Sequence, residues 1–504
     1  MTKKVVVIGA GIGGLTAGAL LAKRGYQVWV VDQAAVPGGC ASTFQRRGFT
    51  FDVGATQVAG LEPGGIHHRI FTELDVEPPP ATYCDPACAV YLPGEVTPIQ
   101  VWRDRQQWQL ERQQQFPGSE PFWQLMQRLF TASWAFQSRD PVLPPRSPWD
   151  MGQLIRAIDL DTLTTLPFTP LTVGQVLHWM GLGGDRRLHT FLDLQLKLYS
   201  QVDSDATALL YAATALGVSQ SPLGLFHLKG SMQVLSDRLR MALQQNQGHL
   251  WLRHRVKRIE VFNGRVSGVV LTDEKTGTTW TESADYVVAN VPVQNLVRLV
   301  NPESIRGISQ WLWNGYLQRV EQLPPSSGAF VIYLGVDQAA IPQSCPPHLQ
   351  FLYSYEGPIA ENNSLFVSVS QPGDGRAPEG RVTLIASSFT DPQLWWRTTN
   401  YKGLKADYTQ KAIAQLSQFF HLTPATLIHQ EAATPCTFAR YTARHQGIVG
   451  GIGQRISTFG PFGFANRTPI RGLWLVGDST HPGEGTAGVS FSALTTVRQI
   501  EAEP

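Results

Sequence analysis

The run KVVVIGAGIGGLTAG, residues 4–18, constrains the fold more than any other stretch. Lys4 to Ile8 is a β-branched apolar run, the pattern of a strand buried on both faces of a parallel sheet. Gly9, Gly11 and Gly14 follow in G-x-G-x-x-G spacing, and Leu15, Ala19 and Ala22 then recur at helical spacing until Gly25. A second strand, VWVVD, ends on Asp32, 18 residues beyond Gly14. In such a βαβ unit Gly9 allows the tight turn, Gly11 admits a pyrophosphate and Gly14 packs the helix on the sheet. The helix N-terminus offers N–H donors and positive dipole, and Asp32 is placed to accept from a ribose hydroxyl.

The loop alone does not separate NAD from FAD. The next segment, PGGCASTFQRRGFTFDVGA (37–55), carries the Gly38-Gly39 doublet and reads as a second backbone-rich turn leading into a short strand; an ordinary β-hairpin is the plainer alternative. A second glycine-rich stretch, GDSTHPGEGTAGVSFSAL (477–494), follows the apolar strand LWLV. Gly477 allows a turn at the strand's C-terminal edge, and Gly483, Gly485 and Gly488 keep the approach free of side chains. From Thr486 onward Val489, Leu494, Val497 and Ile500 recur at roughly helical spacing, so this stretch also aims a helix N-terminus at a ligand.

Charge excludes some classes. With 41 Lys+Arg against 39 Asp+Glu there is no basic footprint for nucleic acid. Only 16% of residues are charged, against about 25% in ordinary soluble domains, which fits an apolar substrate, a membrane-facing surface or a large core. The five scattered cysteines read as reduced thiols of a cytoplasmic protein; Cys84 and Cys88 lack a second pair that would complete a zinc site, and no metal is expected. The opening MTKKVVVIGAG reads as too short and too promptly a strand for a secretory signal, no apolar run approaches bilayer length, and ATALLYAATALGV (206–218) reads as a buried helix.

Together these residues resemble the flavin-dependent amine oxidase and phytoene desaturase superfamily. The carriers are Gly9/Gly11/Gly14, the Gly38/Gly39 doublet and Gly477/Asp478, with FHLKGSMQVLSDRL (226–239), LRHRVKRIEVFNGRVSGVVLTD (252–273) and ADYVVANVP (284–292) between them. Within the superfamily the chain is most similar to carotenoid desaturases and isomerases, on the T-H-P-G-x-G-x-x-G-V ending and on SSGAFVIYLGVD (326–337). FLDLQLKLYSQV (191–202) and the region after Gly38 resemble the cyanobacterial-type carotenoid 3′,4′-desaturases. Two departures stand out: Asp32 where most relatives carry Glu, and Cys40 where many carry a basic or small residue.

The resemblance implies an α/β fold: a discontinuous Rossmann-like FAD-binding domain (1–75, 225–300, 445–504) and a second, substrate-binding α+β domain (76–224, 301–444). It implies FAD held by Gly9, Gly11, Ile12, Gly13, Gly14, Asp32, Gly38, Gly39, Ser42, Val256, Gly477, Asp478, Gly488 and Val489. Asp478 would lie on the ribityl or pyrophosphate part, so Asp478→Ala is expected to weaken FAD retention with the fold intact. The expected activity is desaturation at C-3′,4′ of a carotenoid ψ end-group, with His481 and Glu484 as candidate proton acceptors. The expected substrate is a polyene, drawn from a membrane by a protein expected to be peripheral to its cytoplasmic side. A cis–trans isomerase, an amine oxidase and a non-catalytic escort are the alternatives. The aromatic stretch within 102–160, with Phe122, Trp123, Met126, Gln127, Leu129 and Phe130, reads as core or as a membrane-contacting helix. His67-His68 and Lys229 are not expected to be catalytic.

Overall fold

A computed structural model describes residues 2–301 and 305–503. The β-branched runs assemble into one five-stranded sheet, every neighbouring pair parallel, in the order His249–Leu252, Gln27–Asp32, Lys4–Ile8, Tyr286–Ala289, Leu473–Leu475. The edge strand His249–Leu252 was not expected in this sheet; its HLWL sequence is short and mixed, and pairing with Trp29–Asp32 decides its place. Alternate residues of the central strand serve two cores. Val5 and Val7 pack under the helices Ile12–Lys23, Gln233–Gln245 and Thr486–Glu501. Val6 and Ile8 face the antiparallel strands His254–Phe262 and Arg265–Asp273 and the helix Val293–Leu299.

A seven-stranded mixed sheet lies in the other half of the molecule, in the order Leu427–Ala433, Gly328–Asp337, Arg381–Thr390, Ser364–Val369, His348–Leu352, Cys88–Tyr91, Ile99–Val101. One face, with Phe330, Ile332 and Leu334, packs with Trp395, Ala412 and Leu416 of the helices Pro392–Arg397 and Tyr401–Leu416. The opposite face carries the in-register row Val331, Ser387, Phe366 and Gln350. That row borders a cavity, described below.

A helical layer completes this half. The helix Glu120–Ser138 buries Phe122, Trp123, Met126, Leu129 and Phe130, so most of the aromatic stretch is core, with Trp134 and Phe136 turned to the cavity instead. Apolar side chains reach solvent further on. In Pro148–Ala157, Leu160–Thr165 and the turn after them, Ile155, Leu160, Leu163 and Leu166 are exposed, Leu160 by 78%. The base of this segment is fixed by Asp150, fully buried, which accepts from Arg467 Nε at 3.0 Å and Gln499 Nε2 at 3.0 Å. The apolar run 206–218 forms the helix Leu209–Gly217, apolar on both faces because Ala212 and Ala213 are core while Leu210 and Tyr211 line the cavity. Among the described residues no helix is long and apolar enough to cross a membrane. All five cysteines are free.

Candidate functional site

Both glycine-rich ends open into one cavity of about 930 Å³. At the first end the chain leaves its strand through Gly9, whose φ of +94° is a left-handed conformation that glycine tolerates. The helix then starts at Ile12 with Gly11 as an N-cap that gives no side-chain hydrogen bond, so its first amides have neither cap nor intrahelical acceptor. Gly11, Ile12 and Gly13 line the cavity. The glycines have a second purpose that spacing does not show. A Cβ on Gly9 would stand 2.7 Å from the carbonyl oxygen of Asn290, and one on Gly11 2.8 Å from its Nδ2. Gly14 does not line the cavity; a Cβ there would lie 2.0 Å from the carbonyl of Gly9, so this glycine seats the helix on its own loop.

The Gly38-Gly39 doublet forms the expected second turn, and the hairpin Thr43–Arg46/Phe49–Asp52 follows it, so both readings of 37–55 describe part of the segment. Gly38 donates its N–H to Ala10 O at 2.7 Å, which binds this turn to the first loop. Ser42 departs from expectation: its hydroxyl turns back onto Gly39 O at 2.7 Å and closes the turn rather than lining the cavity. Cys40 does line it, and burial raises its thiol pKa. Asp32 borders the cavity but is engaged by backbone, accepting from the amide of Ala10 in the first glycine loop and from that of Ala34 after its own strand, both at 2.7 Å. Burial raises its pKa and those two amides oppose the shift. Val256 lies in the cavity wall beside His254 and Arg255.

At the other end Gly477, Gly483 and Gly485 have φ of +116°, +118° and +86°. The helix Thr486–Glu501 begins after Gly485, again with no side-chain cap, and Gly488 and Val489 of its first turn line the cavity. Buried hydroxyls fix this end: Ser492 Oγ accepts from Gly477 N at 3.1 Å, and Ser490 Oγ lies 3.1 Å from His67 Nε2. His67 is thereby a packed core group, its pKa lowered by burial to about 4, while Lys229 is exposed at a strand end. A Cβ on Gly477 would lie 3.0 Å from Asn290 Oδ1. One side chain, Asn290, therefore sits between the two glycine loops.

Where the loops meet, the polar groups are paired. Asp478 Oδ2 accepts from Arg444 Nη2 at 2.6 Å, and Arg444 also donates from Nε to Ile448 O at 2.7 Å. Burial works against the guanidinium charge, but Asp478, Cys40 and Glu484 together outweigh it and the Arg444 pKa is raised. Glu484 Oε2 accepts from Gln201 Nε2 at 2.8 Å, whereas its buried Oε1 has no hydrogen-bond partner among the described residues. Burial pushes its carboxyl pKa up to about 8; Gln201 opposes the rise and the Asp478 charge adds to it. His481 lies 3.0 Å from Gln137 Oε1 through Nε2, and burial lowers its pKa to about 4. Of the two candidate proton acceptors, only Glu484 has appreciable proton affinity near neutrality.

Beyond this junction the cavity becomes apolar. The sheet row of Val331, Phe366 and Ser387 lines one part, and Trp134, Phe136, Leu210 and Tyr211 another. Ile158, Leu163, Leu166 and Phe462, which also line it, are each partly open to solvent.

Two uncapped helix N-termini facing one cavity fit a long cofactor with a diphosphate at one end and a second electron-rich group at the other. This arrangement fits an FAD-dependent oxidoreductase on a Rossmann-like fold. Residues 7–74 match the NAD(P)-binding Rossmann-like domain. Prolycopene isomerase 1 of an Oncidium hybrid cultivar is 25% identical over 99% of this chain and 84% of its own length. A 4,4′-diapophytoene desaturase of Methylomonas is 24% identical over 99% and 95%. Among solved structures, an oxidoreductase of Methanosarcina mazei superposes with a TM-score of 0.64 at 18% identity, covering 98% of this chain and 100% of its own. Cyclohexylamine oxidase of Brevibacterium oxydans gives a TM-score of 0.62 at 16% identity, covering 99% and 100%. Over nearly its whole length the chain is similar to these carotenoid isomerases and desaturases.

Proposed function

We propose that the protein is a carotenoid desaturase that introduces a C-3′,4′ double bond into a ψ end-group. The observation that carries the reading is the continuity of the cavity: it joins the two uncapped helix N-termini to an apolar passage, with the Glu484 side chain at the junction. A polyene has almost nothing to hydrogen-bond, so it is held by a wall of this composition. We assign FAD to the part assembled from 1–75, 225–300 and 445–504, and the polyene to the rest. The amides of Gly11, Ile12 and Gly13 would hold the diphosphate, Asp32 a ribose hydroxyl and Val256 the adenine. Gly477, Asp478, Gly488 and Val489 would border the flavin end.

FAD, when bound, supplies the acceptor for the hydride that leaves one carbon. This chain must then take the proton from the adjacent carbon, and Glu484 is the group for it, with Oε1 as the atom that carries the proton. The apolar wall excludes water from the developing cation. The exposed side chains of Ile155, Leu160, Leu163 and Leu166, next to cavity-lining Ile158, would rest against a membrane and admit the substrate from it.

A second reading, cis–trans isomerisation, is favoured by one observation: a carboxyl with a pKa of about 8 is mostly protonated at pH 7 and is poised to donate. The similarity to prolycopene isomerases supports the same alternative. The purified, FAD-loaded protein incubated with acyclic carotenoids in liposomes separates the two. Desaturation yields a product lighter by two hydrogens, at a rate that rises with pH through about 8 as Glu484 becomes an acceptor. A product of unchanged mass and altered retention, formed at a rate that falls over the same range, would replace desaturation by isomerisation.

A further inference from the structure

The stretch FLDLQLKLYSQV is accounted for by neither fold packing nor cofactor contact alone. It ends the helix Arg186–Ser200, and its Gln201 caps that helix at φ +66° and ψ −2°. A left-handed conformation is unfavourable for a residue with a Cβ, so its persistence here needs a cause. Two contacts supply one. Lys197 Nζ donates to Gln201 O at 2.9 Å, four residues back along the same helix, and Gln201 Nε2 donates to Glu484 Oε2 at 2.8 Å, across 283 residues of sequence. Gln201 is itself 5% exposed. A third feature clears the space: a Cβ on Gly450, whose φ is +65°, would stand 2.2 Å from Glu484 Oε2 and 2.5 Å from Gln201 Nε2.

We propose that Gln201 is a positioning residue for Glu484: held by its left-handed backbone and by Lys197, it keeps Oε2 as an acceptor and leaves Oε1 to carry the proton. What that proton is for rests on the reading above; the geometry of the grip does not. A primary amide suits this role because it donates without adding charge, so Glu484 stays able to change protonation state within the working pH range. The charged and titratable groups that bear on the Glu484 carboxyl are Asp478 and Arg444 from the last loops, Lys197 from the helix Arg186–Ser200 and Tyr211 from the helix Leu209–Gly217. None of them is shown bonded to Glu484; Gln201 is the side chain that makes the bond.

The test is an infrared difference titration of the full-length, FAD-loaded protein. The Glu484 carboxyl band is identified by its loss in Glu484→Gln. Gln201→Leu and Gln201→Gly both remove the donor, and in both the Glu484 midpoint is expected to rise by about one to two pH units, the worth of a hydrogen bond to a carboxylate. Gln201→Gly also relieves the left-handed backbone, so its melting temperature should be at least that of Gln201→Leu while its midpoint shifts as far. A purely structural role predicts the reverse, stability changing and the midpoint staying. A midpoint unmoved in both folded variants overturns the proposal. If the wild-type protein turns over no carotenoid, the desaturase reading fails, and the titration still decides the role of Gln201.

Discussion

Asp478→Ala tests the arrangement most directly, because sequence and structure expect different things of it. From the sequence the side chain is a free handle for the cofactor, and its loss should leave the fold intact. In the structure the carboxylate neutralises Arg444, and the two side chains are only 13% and 15% exposed. Removing Asp478 leaves a guanidinium inside the protein whose hydrogen-bond partners among the described residues are the carbonyls of Ile448 and Gly450. Breaking a buried pair from one side costs about 3–5 kcal/mol, a large share of the roughly 5–15 kcal/mol that holds a folded chain together. Urea unfolding of the apoprotein should therefore show Asp478→Ala clearly destabilised. The double variant Asp478→Ala/Arg444→Met, which removes both charges, should recover most of the loss. FAD retention on gel filtration then separates pairing from cofactor contact: if Asp478 touches FAD, the double variant still loses the flavin, and if it serves only Arg444, the flavin is kept. A single variant within about 1 kcal/mol of the parent, or a double variant no more stable than the single, would refute the argument.

The buried Glu484 carboxyl makes the apoprotein's stability depend on pH. Its folded pKa of about 8 lies above the ordinary glutamate value of 4.5, so the stability it contributes is present below about pH 4.5 and is lost as pH rises through 8. Glu484→Gln should consequently be more stable than the parent at pH 8.5 in thermal melts, with the difference shrinking toward pH 5; parallel stability curves would count against a buried, protonated carboxyl. Placing charge on the exposed apolar segment with Ile155→Glu/Leu163→Glu should weaken co-sedimentation with phospholipid vesicles and leave FAD retention unchanged. Full vesicle binding by that variant would move the membrane contact elsewhere.

The features legible in the sequence are those a short stretch must meet by itself. Gly9 stands where φ is positive, β-branched Val5 to Val7 stand where both faces of a strand are covered, and the residues from Thr486 onward keep helical spacing because one face is core. Each constraint acts within a few residues, so the local pattern discloses it. What stayed hidden depends on residues far apart in the chain. Asn290 explains the glycines at both ends, yet it reads as one more polar residue after a strand, because its neighbours Gly13 and Gly477 are brought to it only by the parallel sheet. Arg444 and Gln201 are concealed in the same way. An arginine 34 positions before Asp478 and a glutamine 283 before Glu484 have no spacing that marks them as partners. Ser42 shows the converse. The resemblance carries it over as a cofactor contact, but its hydroxyl joins its own amide on the carbonyl of Gly39 and closes the turn. The cavity wall is the least local feature of all. The Val331, Phe366, Ser387 row comes from three strands, and the aromatics Phe136 and Tyr211 of the same wall stand 75 residues apart on two helices. Such a wall is apolar on the side away from the core as well as toward it, which is why the helix Leu209–Gly217 looked simply buried in the sequence. A stretch apolar all round in a chain with few charges is therefore evidence for an enclosed apolar ligand only after the fold shows that one of its faces is turned to open space.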